Sequence, residues 1–366
     1  MQIRTAMKSA LSYAKHGIGI SGKNPSVGCV ILNSDMDLVS LGRTGLNGRP
    51  HAEKIALESL KSDINGGVAV ITLEPCAHEN KNGSCASLLA KSGIKKIYVS
   101  CLDPDRRTNG KGIEILRKAG IEVSLGMCES EAKNLNQGFF SRILRSRPYI
   151  SLKMATSLDS KIATPEGKSK WITGALARKH GHMQRAKSDA ILIGINTLIK
   201  DDPLLTCRIR GLEKHSPDRI VVDSSLSIPI NSNLIKTLKL SPLQVWTSKK
   251  SDKSKKKKLI DLGISVLELD DCGDRKLKLK DGLKDLANRG INNLLVEGGG
   301  KVSATLLSNN LVDRIFLYRS GKILGDTSIS SVSGLDLNTI SLNEKFQRID
   351  ARQLDDDVFE EWRTLN

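Results

Sequence analysis

The first half of the chain alternates short apolar runs with segments of helical periodicity. The apolar runs predict strands over residues 27–32, 68–73, 97–101 and 121–125. The segments between them predict helices over residues 52–60, 84–91 and 112–119. Strands and helices that alternate in this way form βαβ units, in which helices cover a mostly parallel sheet. The pattern therefore predicts an α/β domain.

A further helix is predicted before the first strand. Its apolar face consists of Ile3, Met7, Ala10, Leu11 and Ala14, with Gly17 as a stop signal. Lysines and polar residues interrupt the segment throughout, which is not typical of a secretory signal peptide.

The alternation resumes after a polar helical stretch at 129–144 and a linker-like sequence, Arg145-Ser-Arg-Pro148. Strands are predicted over 149–154, 190–195, 219–222, 243–246, 264–267, 293–296 and 315–318. Helices are predicted over 175–186, 279–287 and 302–307. These elements predict a second α/β domain, so we place the domain boundaries at 1–145 and 148–366. No sequence repeat relates the two halves.

The composition restricts the class of protein. The length of 366 residues suits two domains. No apolar run approaches the ~18 residues that a membrane span requires, so we expect no membrane partner. Seven cysteines, an odd number scattered along the chain, favour a reducing compartment over a disulfide framework. We therefore expect a cytoplasmic protein.

The formal net charge of +17 raises the question of a nucleic-acid partner. Residues 1–147 carry 21 Lys and Arg against 13 Asp and Glu, and the remainder carries 36 against 27, so the excess is evenly divided. Aromatic residues are only 3% of the chain, which leaves few stacking platforms for single strands. We interpret the charge as attraction to a small anionic substrate and expect no nucleic acid. The lysine run at 253–258 is interpreted as a solvated helix or loop face.

Two stretches carry candidate metal chemistry. His51-Ala-Glu53 opens a predicted helix, and Pro-Cys76 follows the next strand, with Cys85 nine positions later. One imidazole and two thiolates suit tetrahedral zinc with a fourth position left for water. Zinc in such a site activates water at neutral pH, and Glu53 lies where it can shuttle protons.

This arrangement matches H-x-E followed by P-C-x-x-C, the pattern of zinc nucleobase deaminases, except that eight residues separate the cysteines. Isolated His and Cys residues are usually structural, but their joint occurrence at these positions favours a zinc site. The long spacing predicts a loop over the site that carries His78 and Lys81. Either side chain is a solvated loop residue or a substrate contact, and Asn24 is either a turn residue or an amide offered to a heterocycle.

The motifs extend over almost the whole chain and resemble a known family. They are NPSVGCVIL, HAEKIAL, TLEPCAH, DPD and GKGIEILRKAGIEV in the first half, and LKMATSLDSKIAT, SKWITG, RAKSDAILIGINT, DDPLLTCR, IVVDSSLSIP, LLVEGGG and LVDRIFLY in the second. They resemble the bifunctional deaminase–reductase of riboflavin biosynthesis. The resemblance implies a cytidine-deaminase-like three-layer α/β/α domain followed by a dihydrofolate-reductase-like α/β domain.

The resemblance also implies two reactions and two cofactors. The first is zinc-dependent removal of the C2 amine of 2,5-diamino-6-(5-phosphoribosylamino)pyrimidin-4-one, and the second is reduction of the ribosyl group to ribityl by NADPH. His51, Cys76 and Cys85 would bind zinc, and Glu53 would be the catalytic proton shuttle. Residues matching substrate positions are Asn24, His78, Lys81, Lys153, Ser169, Arg208 and Glu297. Residues matching cofactor positions are Trp171, Thr173, Asp201, Gly298, Gly299 and Gly300.

A glycine-rich turn supports the second activity only weakly. Residues 297–300 follow a predicted strand and precede a helix, where backbone N–H groups can approach a phosphate, although such a turn can also be a tight connection. No G-x-G-x-x-G follows a strand, which disfavours a Rossmann site. The apolar strands of this half suggest self-association into a homo-oligomer.

The sequence departs from the family pattern at several positions. Asp105 replaces an asparagine, Ser160 replaces a glycine, and Arg319-Ser-Gly-Lys322 replaces Ala-Pro-Lys. We expect the changes at Ser160 and Gly321 to affect the reductase more than the deaminase. The alternative function is a zinc-dependent tRNA deaminase with a basic appended domain, which uses the same metal chemistry and would show steep salt dependence.

Overall fold

The structure is a computed structural model that describes residues 1–78, 83–271, 277–334 and 346–365. The chain divides into two units, Met1–Ser146 and Arg147–Asn366, which are considered separately below. Within the described residues, no helix has both the length and the apolar character needed to span a membrane.

The first unit is built on a five-stranded sheet with the strand order β2-β1-β3-β4-β5. Its strands are β1 (Gly28–Leu32), β2 (Leu38–Arg43), β3 (Val68–Ile71), β4 (Lys96–Val99) and β5 (Glu122–Leu125). Its helices are α1 (Ile3–Lys15), α2 (Ala52–Glu58), α3 (Cys85–Ala90), α4 (Lys111–Lys118), α5 (Glu129–Leu135) and α6 (Gln137–Arg145). The elements predicted for this half are present with ends within two residues of those expected, except that the polar stretch at 129–144 forms two helices, α5 and α6, separated at Asn136.

The expectation of a mostly parallel sheet is wrong at one edge. Strand β2 was not predicted, and β1 runs antiparallel to both β2 and β3, whereas β3, β4 and β5 are parallel. For the β1–β2 pair the reason is a tight turn, in which the Asn33 amide N–H donates to the Asp37 carbonyl at 3.0 Å and the Asn33 side chain accepts from the Asp37 N–H at 2.8 Å. A turn of this length permits only an antiparallel return.

Helix α1 buries most of the face that the sequence predicts. Met7, Ala10, Leu11 and Ala14 are buried, as is Ala6, whereas Ile3 is half-buried against the same core. Helix α1 packs on β1 and β3. A Cβ atom at Gly28 would lie 2.0 Å from the carbonyl oxygen of Ala10, so only glycine permits this close approach of helix and strand.

The second unit is built on a nine-stranded sheet with the order β11-β10-β9-β8-β12-β6-β13-β16-β15. Its strands are β6 (Tyr149–Thr156), β8 (Ala190–Gly194), β9 (Asp218–Val222), β10 (Leu243–Ser248), β11 (Ser265–Leu269), β12 (Asn293–Val296), β13 (Arg314–Arg319), β15 (Phe346–Leu354) and β16 (Asp357–Thr364). A separate pair consists of β7 (Lys161–Ala163) and β14 (Ile329–Ser330). The helices are α7 (Ala175–Ala186), α8 (Ile195–Asp201), α9 (Asn233–Lys236), α10 (Lys253–Asp261), α11 (Leu279–Asn288) and α12 (Gly300–Ser308).

The central strands of this sheet are buried on both faces. Ile191 and Ile193 of β8 belong to one apolar cluster, whereas Ala190 and Leu192 belong to another. Because side chains alternate across a strand, these clusters are the cores on the two faces of the sheet. Strands with two buried faces, such as β8, read as continuous apolar runs. All seven strands predicted for this half are confirmed, including β11 and β13, which are only partly buried.

The β15–β16 hairpin was missed by the sequence analysis. Most side chains of β15 are exposed, so the strand lacks the apolar run on which the other predictions depend. It forms the edge of the sheet and pairs antiparallel with β16.

The lysine run is a solvated helix, as expected. Asp252 caps α10 by accepting a hydrogen bond from the Lys255 N–H at 2.6 Å, and Leu259 is the buried residue of the helix. Lys256 pairs with Glu268 at 2.6 Å.

Two positions of the second unit that depart from the family pattern, Ser160 and Gly321, differ in backbone strain and packing. Ser160 has a φ of 61°, in the left-handed region where a side chain is strained. A Cβ atom at Gly321 would meet no other atom of the described residues within 4 Å, so the packing does not demand glycine there.

We therefore expect Ser160→Gly to stabilise the second unit by about 1 kcal/mol, because glycine removes the left-handed penalty. The measurement is urea unfolding followed by tryptophan fluorescence, which reports this unit alone because Trp171, Trp246 and Trp362 all lie in it. Ser160→Ala is the control and should bring no gain. Equal midpoints for the glycine and alanine variants would contradict the explanation.

Candidate functional site

Three elements of the first unit bring His51, Cys76 and Cys85 together. His51 immediately precedes α2, Cys76 lies five residues beyond the end of β3, and Cys85 is the first residue of α3. Ser84 caps α3 by accepting a hydrogen bond from the Ser87 N–H at 3.0 Å, which fixes where that helix begins.

The donor atoms of the three residues all lie within 4.8 Å of one another. His51 Nδ1 is 3.2 Å from Cys85 Sγ and 3.6 Å from Cys76 Sγ. Zinc bonds of about 2.0–2.3 Å in a tetrahedron place neighbouring donors roughly 3.5–3.8 Å apart. The donor set therefore fits zinc in both chemistry and spacing.

The pKa values of the two thiols are shifted in opposite directions, so that the pair favours a state with one proton and one negative charge. A hydrogen bond from Cys85 lowers the pKa of Cys76 to about 4, and His51 and the Cys85 backbone N–H, 3.4 Å from the sulfur, act in the same direction. The same thiol–thiol contact raises the pKa of Cys85. A divalent cation would take the place of the proton that the two sulfurs share.

Glu53 lies in the first turn of α2 and is only 3% exposed. Burial raises its pKa to about 7, although the neighbouring His51 opposes the shift. A carboxyl in this range can both accept and donate a proton at neutral pH. The structure thus places a proton-transfer group directly beside the donor set.

Of the other residues expected at this site, His78 and Asn24 lie within the described residues and Lys81 does not. His78 is half-buried, and its Nδ1 atom is enclosed without a hydrogen-bond partner among the described residues. The Asn24 amide donates to the Gly48 carbonyl at 3.2 Å, which ties it to the turn just before His51. Lys81 lies outside the described residues.

We expect the purified chain to hold one zinc ion, and Cys85→Ala to lose most of it, because two donors bind zinc far more weakly than three. Metal content by atomic emission spectroscopy is the measurement. Cys101→Ala is the matched control, since Cys101 is equally buried and its pKa is raised by burial to about 12. Zinc retained by the Cys85 variant would contradict the assignment.

In the second unit, two adjoining cavities collect the remaining predicted residues. One, of about 470 Å³, is lined among others by Lys153, Ser169, Trp171, Thr173, Asp201, Arg208, Glu297, Gly298 and Gly299. The other, of about 500 Å³, is more apolar and shares Ser169, Asp201 and Gly299 with the first while adding Gly300. The structure therefore brings all the residues predicted for the second activity to one cleft.

A largely buried carboxylate, that of Glu297, lines this cleft. Arg185 holds Glu297 in a bidentate ion pair, with Nε–Oε1 at 2.7 Å and Nη2–Oε2 at 2.9 Å, and Lys153 Nζ lies 4.0 Å away. Although burial alone would raise the pKa of Glu297, Arg185 and Lys153 lower it to about 2. Burial lowers the pKa of Lys153, and Glu297 opposes that effect.

Sequence reasoning missed Arg185 as a functional residue. It lies within a quoted motif, on a polar helix whose buried residues are Ala177, Gly181 and Ala186. An arginine next to small buried residues, toward the end of an otherwise solvated helix, was the available signal. Its Nη1 also donates to the Thr206 carbonyl at 3.0 Å, so the guanidinium is fixed on two sides.

The segment that carries Ser169, Trp171 and Thr173 is held over the cleft by polar contacts. Lys322 donates to the Trp171 carbonyl at 2.6 Å, and Arg178 donates to the Thr173 carbonyl at 2.6 Å. The Arg178 guanidinium also lies 4.3 Å from the centre of the Trp171 ring. Ser169 donates to Asp201 at 3.2 Å, which connects the segment to the end of α8.

The glycine-rich turn is a site of close packing at the start of α12. A Cβ atom at Gly300 would lie 2.4 Å from Ser333 Oγ, and one at Gly298 would lie 3.0 Å from Val302 Cβ. Neither glycine has a positive φ, so small size rather than backbone freedom is what the turn requires. The helix N-terminus faces the cleft, where an anionic group would be stabilised.

Family comparisons agree with both sites. Residues 1–101 match the cytidine and deoxycytidylate deaminase zinc-binding region, and residues 148–359 match the RibD C-terminal domain. The zinc donors and Glu53 fall within the first match, and the cleft falls within the second.

Related proteins cover the full length of the chain. The riboflavin biosynthesis protein RibD of Aquifex aeolicus is 40% identical over 96% of this chain and 96% of its own length. Two solved structures are also similar. Acinetobacter baumannii RibD (form 1) has a TM-score of 0.89 at 33% identity, covering 100% of this chain and 99% of its own. A diaminohydroxyphosphoribosylaminopyrimidine deaminase/5-amino-6-(5-phosphoribosylamino)uracil reductase of Thermotoga maritima has a TM-score of 0.87 at 32% identity, covering 99% of both chains.

With the zinc donor set in the first unit, the cation-rich cleft in the second and these full-length similarities, the chain belongs to the RibD family, the bifunctional deaminase–reductases of riboflavin biosynthesis.

Proposed function

We propose that the chain deaminates 2,5-diamino-6-(5-phosphoribosylamino)pyrimidin-4-one and then reduces the ribosyl group of the product to ribityl with NADPH. The deaminase is assigned to residues 1–145 and the reductase to residues 148–366. The observation that carries the proposal is the buried His51–Cys76–Cys85 donor set with the Glu53 carboxyl beside it.

In the deaminase, His51, Cys76 and Cys85 would hold zinc, which would supply an activated water molecule for attack on C2. Glu53 accepts a proton from the attacking water and passes it to the leaving nitrogen, which departs as ammonia. Burial keeps the pKa of the Glu53 carboxyl close to 7. The group can therefore both accept and donate a proton near pH 7. We assign substrate contacts to Asn24 and His78, with Lys81 as a further contact outside the described residues.

In the reductase, the cofactor supplies the hydride and the chain supplies orientation and charge. Lys153, Arg208 and Ser169 line the cavity that we assign to the phosphorylated substrate, together with Glu297. Because Lys153 is desolvated beside Glu297, its ammonium is a ready proton donor to the oxygen or nitrogen that gains charge during reduction.

We assign the more apolar cavity to the cofactor. Asp201, Gly299 and Gly300 line it, and Gly298, Trp171 and Thr173 border the adjoining cavity. NADPH rather than NADH is proposed from the family.

A tRNA deaminase with a basic appended domain is not favoured. Residues 148–359 match the RibD C-terminal domain, and the cations of the cleft surround a largely buried carboxylate rather than forming an open stripe.

We also propose a cytoplasmic location and a homo-oligomer. The cysteines within the described ranges are all free thiols, as a reducing compartment would leave them.

The expected outcome with zinc-loaded protein is two separable mass changes. Without NADPH, the substrate exchanges its C2 amine for oxygen and releases ammonia. With NADPH, the product gains two further hydrogens. Mass spectrometry of the products distinguishes these species, and reduction without deamination or turnover of RNA would contradict the assignment.

The two activities should be separable by single substitutions. Glu53→Gln should lower deamination at least ~100-fold while the zinc stays bound, because the proton shuttle is lost but the ligands remain. Lys153→Met should lower reduction of the deaminated intermediate at least ~100-fold and leave deamination unchanged. The matched controls are Glu58→Gln and Lys179→Met, which alter exposed positions on the same helix as Glu53 and on α7.

Ammonia release by the Glu53 variant at the parent rate would show that the proton shuttle is a different group. Normal reduction by the Lys153 variant would remove that residue from the reductase chemistry.

A further inference from the structure

Glu74 is a buried carboxylate of the first unit that the deaminase chemistry does not use. It lies two residues before Cys76 and is 3% exposed. Its two oxygens accept hydrogen bonds from backbone N–H groups alone, namely those of Asp103 at 3.2 Å, Gly110 at 3.0 Å, Gly112 at 3.0 Å and Ile113 at 3.3 Å.

These four donors come from two parts of the chain. Asp103 belongs to the loop after β4, and the other three belong to the first turn of α4 and the residue before it. A carboxylate is the side chain that can accept from four donors at once without offering a proton of its own. Glu74 therefore fastens the β4 loop and the start of α4 to the segment that leads into Cys76.

Backbone contacts hold the same segment at both ends. The Glu74 N–H donates to the Cys101 carbonyl at 3.0 Å, and the Cys76 carbonyl accepts from the Ala86 N–H at 3.2 Å. Cys76 itself lies beyond the last paired residue of β3, so the sheet ladder does not fix its position. The Glu74 side chain supplies the constraint that the ladder does not.

The packing of α4 against this segment is close. A Cβ atom at Gly112 would lie 2.1 Å from the Pro75 carbonyl oxygen and 3.2 Å from Glu74 Oε1. The first turn of α4 thus lies directly against both residues that precede Cys76.

We propose that Glu74 is a positioning residue of the zinc site, which holds Cys76 Sγ at ligand distance from His51 and Cys85 by tying its segment to α4. The proposal rests on zinc ligation by these three residues. Outer residues that orient metal ligands typically contribute 10- to 100-fold to metal affinity.

The test is zinc affinity of the full-length chain, measured by competition with a chromophoric chelator. Glu74→Gln keeps the size of the side chain but replaces one acceptor oxygen with an amide that faces N–H donors. We expect zinc affinity to fall about 10- to 100-fold. We also expect the visible ligand-field bands of the cobalt(II)-substituted protein to shift, because the geometry around the metal changes.

Leu116→Ala is the matched control, since it leaves a cavity under the same helix while the carboxylate of Glu74 and the N–H groups that it accepts from are unchanged. It should lower the thermal stability of the metal-free protein while the cobalt spectrum stays that of the parent. An equal loss of zinc affinity in this variant would show that Glu74 acts only by stabilising α4, and would overturn the proposal.

Gly112→Ala provides a second variant that disturbs the same contact from the opposite side and leaves the carboxylate intact. It should reproduce the loss of zinc affinity and the spectral shift. Parent-like affinity and an unchanged cobalt spectrum in Glu74→Gln or in Gly112→Ala would overturn the proposal. Because neither readout needs substrate, a wrong substrate assignment would leave these results unaffected.

Discussion

The first unit depends on a largely buried cluster of polar groups, which consists of two thiols, an imidazole and a carboxyl. Burying such groups is costly unless each one has a partner. His51, Cys76 and Cys85 are partners of one another, and a metal ion completes the set. The arrangement is possible only because α2, α3 and the loop after β3 begin or end at one place. The local fold is thus organised around a polar cluster rather than around apolar contacts alone.

In the second unit, a charged group is likewise largely removed from water, and opposite charges stabilise it. Glu297, directly after β12, is largely buried, and Arg185 and Lys153 compensate its charge. Breaking such a pair leaves an uncompensated buried charge, which is strongly destabilising. The carboxylate in turn fixes the orientation of both cations toward the cavity. The proposed reductase residues are therefore preorganised before any substrate enters, which reduces the reorganisation that the reaction would otherwise require.

Predictions from the sequence were most accurate where one periodic signal dominated. The buried strands of the second unit are continuous apolar runs, and α1 and α7 have clear boundaries, so these elements were placed within a few residues. The β2 strand was missed because its buried positions are Ser40 and Gly42, whereas Leu38 and Leu41 are exposed. The β15 strand was missed because most of its residues are exposed and polar, so neither strand shows the expected apolar pattern. Arg185 was missed for a related reason, since its functional partner, Glu297, lies 112 residues away in the chain.

Residue types and short spacings are sufficient to identify the chemistry of the donor set, the order of the two domains and the family. His51-Ala-Glu53 and Pro-Cys76 are such local signals. The burial of Glu53, the ion pair of Glu297 with Arg185 and the link from Glu74 to α4 are visible in the three-dimensional fold alone. Each of these depends on contacts between residues distant in sequence and on the loss of water around them, and neither is encoded in any local pattern.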